Sequence, residues 1–175
     1  KKLEELTNKS YICIPNKIDL NKQSYLEDEK IKILAHLISE GKLGDKAGSP
    51  KYCQDRDINP KIRKDYEEAL KKLFPDGEIK NNHKTEVKIN FNNYDTRFGT
   101  TNKLRLFIRE FGLDGKRSKE KFVPKIIFNL NEKQISLFLR TLFSGDGCIY
   151  SRKSVGKSEG FIVEYSSISK RLIQD

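Results

Sequence analysis

The chain has 175 residues, no Met, three Cys and a net charge of +10, a size that allows one compact domain or two small halves with a real core. The positive charge favours a nucleic-acid partner, although the abundance of Lys, Asn and Ile, as in an AT-rich genome, would also produce it. No CxxC pair, Cys/His cluster or apolar stretch of roughly 18 residues is present, which argues against zinc, a disulfide framework and a bilayer span.

The first predicted elements are a short strand and a helix. Residues 10–14 (SYICI) are typical of a strand, which Pro15 ends. From Glu27 to Glu40 apolar residues recur at helical spacing, and Gly41 supplies the C-terminal stop. Residues 1–26 are therefore interpreted as an edge strand and a linker that precede a helix.

A hairpin, a second helix and an alternating strand follow. Residues 51–54 are consistent with the hairpin, and Asn59 and Pro60 make a good N-cap and N1 pair for a helix that runs through Phe74. Residues 86–92 alternate apolar and polar, which predicts a half-buried antiparallel strand with one polar face. The remaining predicted elements are a helix at 101–111, a basic loop at 115–119, a helix at 132–145, a hairpin of 148–152 with 161–166, and a helix capped by Ser169.

Two of the predicted helices end in an acid followed by glycine, at Glu40-Gly41 and at Asp146-Gly147. The order helix, acid-Gly, hairpin, capped helix thus occurs twice, with the acids 106 residues apart (146 − 40), which predicts an α+β fold of two related halves. A carboxylate at a helix C-terminus costs about 0.3–1 kcal/mol unless a cation compensates. Side by side, these acids would suit Mg²⁺ with water and phosphate oxygens as further ligands; the alternative is two solvated acids at Gly-terminated helices.

Residues 33–41 (ILAHLISEG) and 139–147 (LRTLFSGDG) resemble the two dodecapeptide motifs of the LAGLIDADG, or DOD-type, homing endonucleases. The second segment is the better match, and in the first Glu40 stands where Asp is usual, as in intein-borne members. Residues 121–124 (KFVP) resemble an element that precedes the second motif in intein endonucleases and supplies an active-site lysine, here Lys121. Residues 1–15 resemble the end of an intein N-terminal splicing region, and residues 122–147 resemble inteins of replicative DNA helicases.

The resemblance implies a homing-endonuclease fold of two pseudo-symmetric αββαββα-like halves, with the motif helices forming the interface between them. We expect a linker and splicing-region tail at 1–26, a first half at 27–118, and a second half at 119–175 that is incomplete at its C-terminus. The protein would be a monomer acting as a pseudo-dimer, with a splicing domain in the same longer parent chain. Thr141 occupies a crossing position where the family usually has Gly, which could misplace Asp146.

The same resemblance implies catalytic roles for Glu40, Asp146 and Lys121, with Mg²⁺ held by Glu40 and Asp146. Double-stranded DNA would be the partner, and its bases would be contacted from the polar face of the alternating strand, because Asn and Arg can read adenine and guanine. The basic loop would contact phosphates. The predicted DNA-binding residues are Lys88, Asn90, Asn92, Arg97, Lys116, Arg117 and Lys119.

The leading functional hypothesis is an intein-encoded endonuclease that cuts both strands of a specific DNA site by Mg²⁺-dependent phosphodiester hydrolysis. The alternative is a catalytically inactive DNA- or RNA-binding module, either a degenerate endonuclease or a maturase-like protein, within a splicing intein. Splicing by these residues alone is not expected, because the nucleophile and the terminal His-Asn pair that splicing needs are absent. We expect an intracellular location without membrane association, cytoplasmic, or organellar if a plastid encodes the chain.

Overall fold

The computed structural model describes residues 24–44, 49–80, 83–91, 102–152 and 160–175. The predicted strand at residues 10–14 lies outside these ranges. Short 3₁₀ turns occur at Ser118–Glu120 and Lys125–Asn129. The other elements are α1 (Asp28–Glu40), β1 (Gly41–Lys42), β2 (Lys51–Cys53), α2 (Pro60–Leu73), β3 (Gly77–Lys80), β4 (Glu86–Phe91), α3 (Lys103–Glu110), α4 (Glu132–Asp146), β5 (Gly147–Arg152), β6 (Gly160–Tyr165) and α5 (Lys170–Gln174).

The order αββα occurs twice, as the sequence predicts, and the first copy continues through β3, β4 and α3. The strands of the first copy form a sheet of order β1-β2-β4-β3, with antiparallel neighbours, and β5 pairs with β6 as an antiparallel hairpin. The registers of the two hairpins correspond, because Gly41 lies opposite Tyr52 and Gly147 lies opposite Tyr165. The α+β class and the internal repeat are therefore confirmed.

Helix α1 is the centre of the core, since it packs against α4, α2 and β2. Every residue from Ile33 to Ser39 is buried. A helix that contacts partners on several sides needs an apolar circumference rather than one stripe, and the sequence ILAHLIS supplies it with a single ionisable residue. The motif helix of the first half is therefore shared by both halves of the molecule.

His36 is that ionisable residue, and it lies in the core. The ring is 1 % exposed and lies edge-on to Tyr52 and Tyr66. Because a carboxylate can only accept, His36 Nε2 donates to Asp65 Oδ2 at 3.1 Å. That hydrogen bond is the main reason why the pKa of Asp65 falls to about 2. His36 thus joins α1 to α2 and has a structural role.

The closest approach between α1 and α4 occurs at Gly145, next to Asp146. A Cβ placed on Gly145 would lie 2.5 Å from Ser39 Oγ and 2.7 Å from Ser39 Cβ. Thr141, where the sequence predicts a disturbance, is buried, and its hydroxyl donates to the Leu137 carbonyl of its own helix at 2.8 Å. The small residue that the crossing requires is therefore Gly145, and it faces Ser39 at the matching position of the other motif.

Each motif helix passes directly into a strand at its glycine. Gly41 and Gly147 have extended backbones, with φ of −82° and −93°, so they are not needed for a left-handed conformation. A Cβ on Gly41 would overlap the Leu37 carbonyl oxygen, and one on Gly147 would overlap that of Phe143. Close approach to the preceding turn is therefore what requires glycine after both acids.

Helix α2 begins at Pro60, as predicted, but the side chain of Asn59 does not cap it. Asn59 Nδ2 instead donates to Gln54 Oε1 at 3.0 Å. The preceding turn is organised by Asp55, whose Oδ1 accepts from the amides of Asp57 and Ile58. The polar side chains before α2 therefore order the loop rather than the helix terminus.

Arg63 of α2 fixes this loop to the sheet. It is 3 % exposed, and its guanidinium donates to the carbonyl oxygens of Gln54, Lys84, His83 and Glu86. It also donates to Glu67 Oε1 at 3.0 Å. One buried cation thus satisfies backbone groups on both sides of β4.

Replacing Arg63 with Met should lower the free energy of unfolding by about 2–4 kcal/mol, because several buried carbonyl oxygens lose a charged donor. Met keeps most of the apolar stem, so lost packing contributes little. The control is Arg56→Met, whose side chain is 57 % exposed and whose replacement should change stability by less than about 0.5 kcal/mol. Urea unfolding measures both; equal midpoints for the two variants would contradict the assigned role of Arg63.

Candidate active site and nucleic-acid interface

The two predicted acids lie together, because α1 and α4 pack side by side and end at the same level. Glu40 and Asp146 are the last residues of these helices, and both are half-buried. Burial and the neighbouring charge of Asp146 raise the pKa of Glu40, and the charge of Lys121 partly opposes this. A partly desolvated carboxylate whose ionisation is disfavoured by a neighbouring acid provides a site for a cation.

Lys121 also reaches this place, and it is not an ordinary loop lysine. The residue is 5 % exposed, and its Nζ donates to the Ser39 carbonyl oxygen at 3.1 Å. Burial lowers the pKa of Lys121 to about 8, against the opposing influence of Asp146 and Glu40. A buried ammonium therefore stands at the end of α1 beside both acids.

Tyr165 joins the same group, which the sequence did not indicate. Its hydroxyl lies 3.4 Å from Asp146 Oδ2, and its ring packs against Phe143 with centroids 5.0 Å apart. Burial and Asp146 raise the pKa of this phenol, so it remains a hydrogen-bond donor. The register of the hairpin could have identified Tyr165, because the residue opposite Gly147 lies close to the residue that precedes Gly147.

The polar face of β4 belongs to the sheet whose first strand, β1, directly follows Glu40. Val87 and Ile89 are buried, while Lys88 and Asn90 occupy the opposite face, so the predicted alternation is confirmed. These two side chains line a depression of about 320 Å³ together with Lys80, His83 and Glu86. Glu86 accepts hydrogen bonds from Lys51 and also contacts Lys88 at 3.6 Å. The face is therefore mixed in charge rather than uniformly basic.

Cys53 of β2 lies between this face and the acids in the order of the strands. It lies opposite Glu86 in the sheet register. Burial raises the pKa of its thiol, and Glu86, Lys51, Glu40 and Lys121 also act on that pKa. Cys148, by contrast, is exposed. Cys53 thus lies on the polar side of the sheet, where the charge of Glu40 still acts on it.

The basic loop lies beside the first half of the molecule. The Gly115 amide donates to the Leu43 carbonyl at 3.4 Å, and Gly115 takes a left-handed φ of +73°. Arg117 and Lys119 are exposed and Lys116 is half-buried. Asn92 and Arg97, also predicted to bind DNA, lie outside the described residues, so only part of the predicted interface can be located.

The carboxylate pair fits a hard divalent cation of the Mg²⁺ type, since such ions take oxygen ligands and complete their coordination with water and phosphate. Within the described ranges no group of three or more His, Cys, Asp or Glu side chains is placed to hold a metal. Among the described residues, the side-chain ligands would therefore be Glu40 and Asp146. As to membranes, no helix in the described part of the chain has the length and apolar character of a membrane span.

Comparison with known proteins agrees with this geometry. The model of the LAGLIDADG-like domain matches residues 133–175, which include α4, its Asp146-Gly147 end, the β5–β6 hairpin and α5. Residues 133–175 are thus similar to a LAGLIDADG-like domain. The mixed fold with antiparallel sheets is that of the LAGLIDADG homing endonucleases, as the sequence predicted. The matched segment thus contains the second of the two motifs whose acids meet at the crossing of α1 and α4.

The whole chain is similar to part of several replicative helicases. It is 28 % identical over 179 residues to the replicative DNA helicase DnaB of Synechocystis sp., and 26 % identical over 197 residues to that of Rhodothermus marinus. The helicase DnaB of Nostoc sp. is 26 % identical over 186 residues. All of this chain is covered in each case, but the chain spans only about a fifth of the length of these relatives. This agrees with the helicase resemblance stated from residues 122–147.

Proposed function

We propose that this chain is the homing-endonuclease region of an intein in a replicative DNA helicase, and that it cleaves both strands of a specific DNA site. The observation that carries the proposal is the meeting of Glu40 and Asp146 beside the buried ammonium of Lys121. The coverage of only a fifth of each helicase relative supports an insertion within a host chain. A splicing domain would then belong to the same parent protein.

The two acids would hold Mg²⁺ at the end of the crossed helices. When bound, the metal would activate a water molecule and stabilise the oxygens of the displaced phosphodiester. Tyr165 would orient the carboxylate of Asp146 by hydrogen bonding, and Lys121 would place a positive charge near the scissile phosphate. Because both motif helices are in one chain, the functional unit would be a monomer that acts as a pseudo-dimer.

The DNA would lie across the polar face of the first sheet. Asn90 and Lys88 would reach base edges in the major groove. Arg117 and Lys119, which are exposed, would contact phosphates. Glu86 on the same face can accept from cytosine, which suits sequence reading better than a purely basic surface would. We therefore also propose Lys88, Asn90, Lys116, Arg117 and Lys119 as DNA-binding residues, with Asn92 and Arg97 expected from the sequence to join them.

The test is cleavage of a DNA duplex that carries the uninterrupted helicase gene sequence around the insertion point, with Mg²⁺ present. We expect Asp146→Asn and Glu40→Gln each to slow cleavage by about 100-fold or more, with DNA affinity retained. Glu40→Gln should not destabilise the protein at neutral pH, because burial and Asp146 already disfavour the ionised carboxyl.

The matched control is Glu110→Gln. Glu110 is also the last residue of a helix, α3, but it is exposed, so we expect normal cleavage. Cleavage by wild type that persists in both acid variants would contradict the assigned site. Specific DNA binding by wild type without cleavage under any divalent metal would instead identify the inactive DNA-binding module.

A further inference from the structure

Helix α5 holds the backbone of Lys121. Ser169, at its N-cap, is completely buried. The Ser169 hydroxyl accepts from the Leu172 amide at 3.2 Å and donates to the Lys121 carbonyl oxygen at 2.6 Å. The cap of α5 is therefore also a direct bond to the segment that carries the lysine.

The two residues after Lys121 are held by the same helix. The Val123 amide donates to Asp175 Oδ2 at 3.0 Å, and the Arg171 guanidinium lies 4.3 Å from the centre of the Phe122 ring. Such a cation–π contact is attractive, because the quadrupole of the ring favours a cation over its face. Three successive residues thus each contact a different residue of the α5 segment.

The side chain of Lys121 extends from this fixed backbone to the opposite motif helix, where its ammonium donates to the Ser39 carbonyl. A lysine side chain loses much rotamer freedom when it is ordered. When the backbone of Lys121 is fixed, fewer side-chain conformations leave the ammonium away from the Ser39 carbonyl. The position of the ammonium beside Glu40 and Asp146 therefore depends on α5 as well as on α1.

We propose that α5 is a clamp on residues 121–123 and that Ser169 is a positioning residue, which sets where the Lys121 ammonium stands in the active site. Ser169 would act through Lys121 and would not touch DNA or metal. The catalytic part of this inference rests on the proposed endonuclease function, whereas the placement of the ammonium does not. The two parts can therefore be tested separately.

The main variant is Ser169→Gly, because glycine remains an acceptable N-cap but cannot donate to the Lys121 carbonyl. Ser169→Thr keeps the hydroxyl and serves as the conservative rescue. The first readout is the ¹H–¹⁵N correlation spectrum of the lysine ammonium groups in metal-free protein, where a buried, hydrogen-bonded Lys121 should give a protected signal, assigned by its loss in Lys121→Met. We expect Ser169→Gly to lose this signal and Ser169→Thr to retain it.

The second readout is cleavage kinetics. Ser169→Gly should lower kcat by about 10–100-fold with little change in KM, as expected for a misplaced catalytic group, and Ser169→Thr should restore kcat. If Ser169→Gly fails to fold, Asp175→Ala removes the contact to the Val123 amide without touching the cap, and it should lower kcat by about threefold. Gln174→Ala, an exposed neighbour on the same helix, should leave kcat unchanged.

The outcomes separate the two proposals. A protected ammonium signal and normal kcat in Ser169→Gly would overturn the clamp, as would equal losses of kcat in Ser169→Gly and Ser169→Thr. If wild type does not cleave DNA but Ser169→Gly still loses the ammonium signal, the clamp stands and the proposed endonuclease function fails.

Discussion

Replacing Gly145 with Val should force α1 and α4 apart and disable the site. A Cβ at this position meets both side-chain atoms of Ser39 within 3 Å, and the Ser39 Cβ cannot move unless its helix moves. Overpacking of this kind costs about 1–3 kcal/mol, while the gain in helix propensity over glycine is less than about 1 kcal/mol. Because Asp146 follows directly, a displacement of about 1 Å should also slow cleavage by about 100-fold.

The chain contains both a control and a compensating change. Gly160 has no atom within 4 Å of its virtual Cβ, so Gly160→Val should leave stability and cleavage essentially unaltered. Ser39→Gly should make room for the introduced valine side chain, so the double variant Ser39→Gly/Gly145→Val should be more stable than the sum of the single effects by about 1 kcal/mol or more. Thermal unfolding gives this coupling energy; additive single effects would mean that the two helices do not approach each other as described.

This crossing also shows what the sequence could and could not predict. The two acid-Gly pairs, whose acids are 106 residues apart, indicated two motif helices. The structure brings these two acids together. The repeat did not show which small residue sets the helix spacing, because Thr141 and Gly145 are both on α4 and only the crossing point decides between them. Ser39 and Gly145 occupy matching positions of the two motifs, so pseudo-symmetry would have indicated the right pair.

Burial was harder to infer than secondary structure. Alternation in β4 revealed its two faces because a strand has a period of two and one partner layer. The burial of His36 could not be inferred from the sequence of its helix. Because α1 has partners on several sides, the spacing of its apolar residues does not identify a solvent-exposed side. The contacts of Ser169 with Lys121, and of Arg63 with four carbonyl groups, join residues far apart in the chain. No local pattern encodes such contacts.

Replacing Lys121 with Met should stabilise the protein at neutral pH while it abolishes cleavage. Below pH 8 the buried amine is charged in the folded protein, and a fall in its pKa from 10.5 to about 8 corresponds to a cost to the fold of about 3 kcal/mol. Met fills a similar volume without charge, although the Ser39 carbonyl loses its donor at a cost of about 1 kcal/mol. We therefore expect a net gain of about 1–3 kcal/mol at pH 7 in metal-free protein.

The pH dependence distinguishes this effect from a general improvement in packing. Because the pKa of Lys121 is lower in the folded than in the unfolded state, the unfolded chain binds more protons between pH 8 and 10.5. The stability of wild type should therefore rise over this range relative to the variant, and the advantage of Met should be lost by about pH 10.5. Urea unfolding at pH 7, 9 and 10.5 measures the difference, with Lys125→Met, an exposed lysine nearby in the chain, as the control.

A constant advantage of Lys121→Met across this range would show that the ammonium is not buried in the folded protein. Loss of stability at pH 7 would show that its bonds to the site outweigh the cost of desolvation. The expected result has a functional meaning, because a residue that destabilises the fold and yet stands beside two acids is retained for what it does there. That trade of stability for activity is the property to expect of a catalytic lysine.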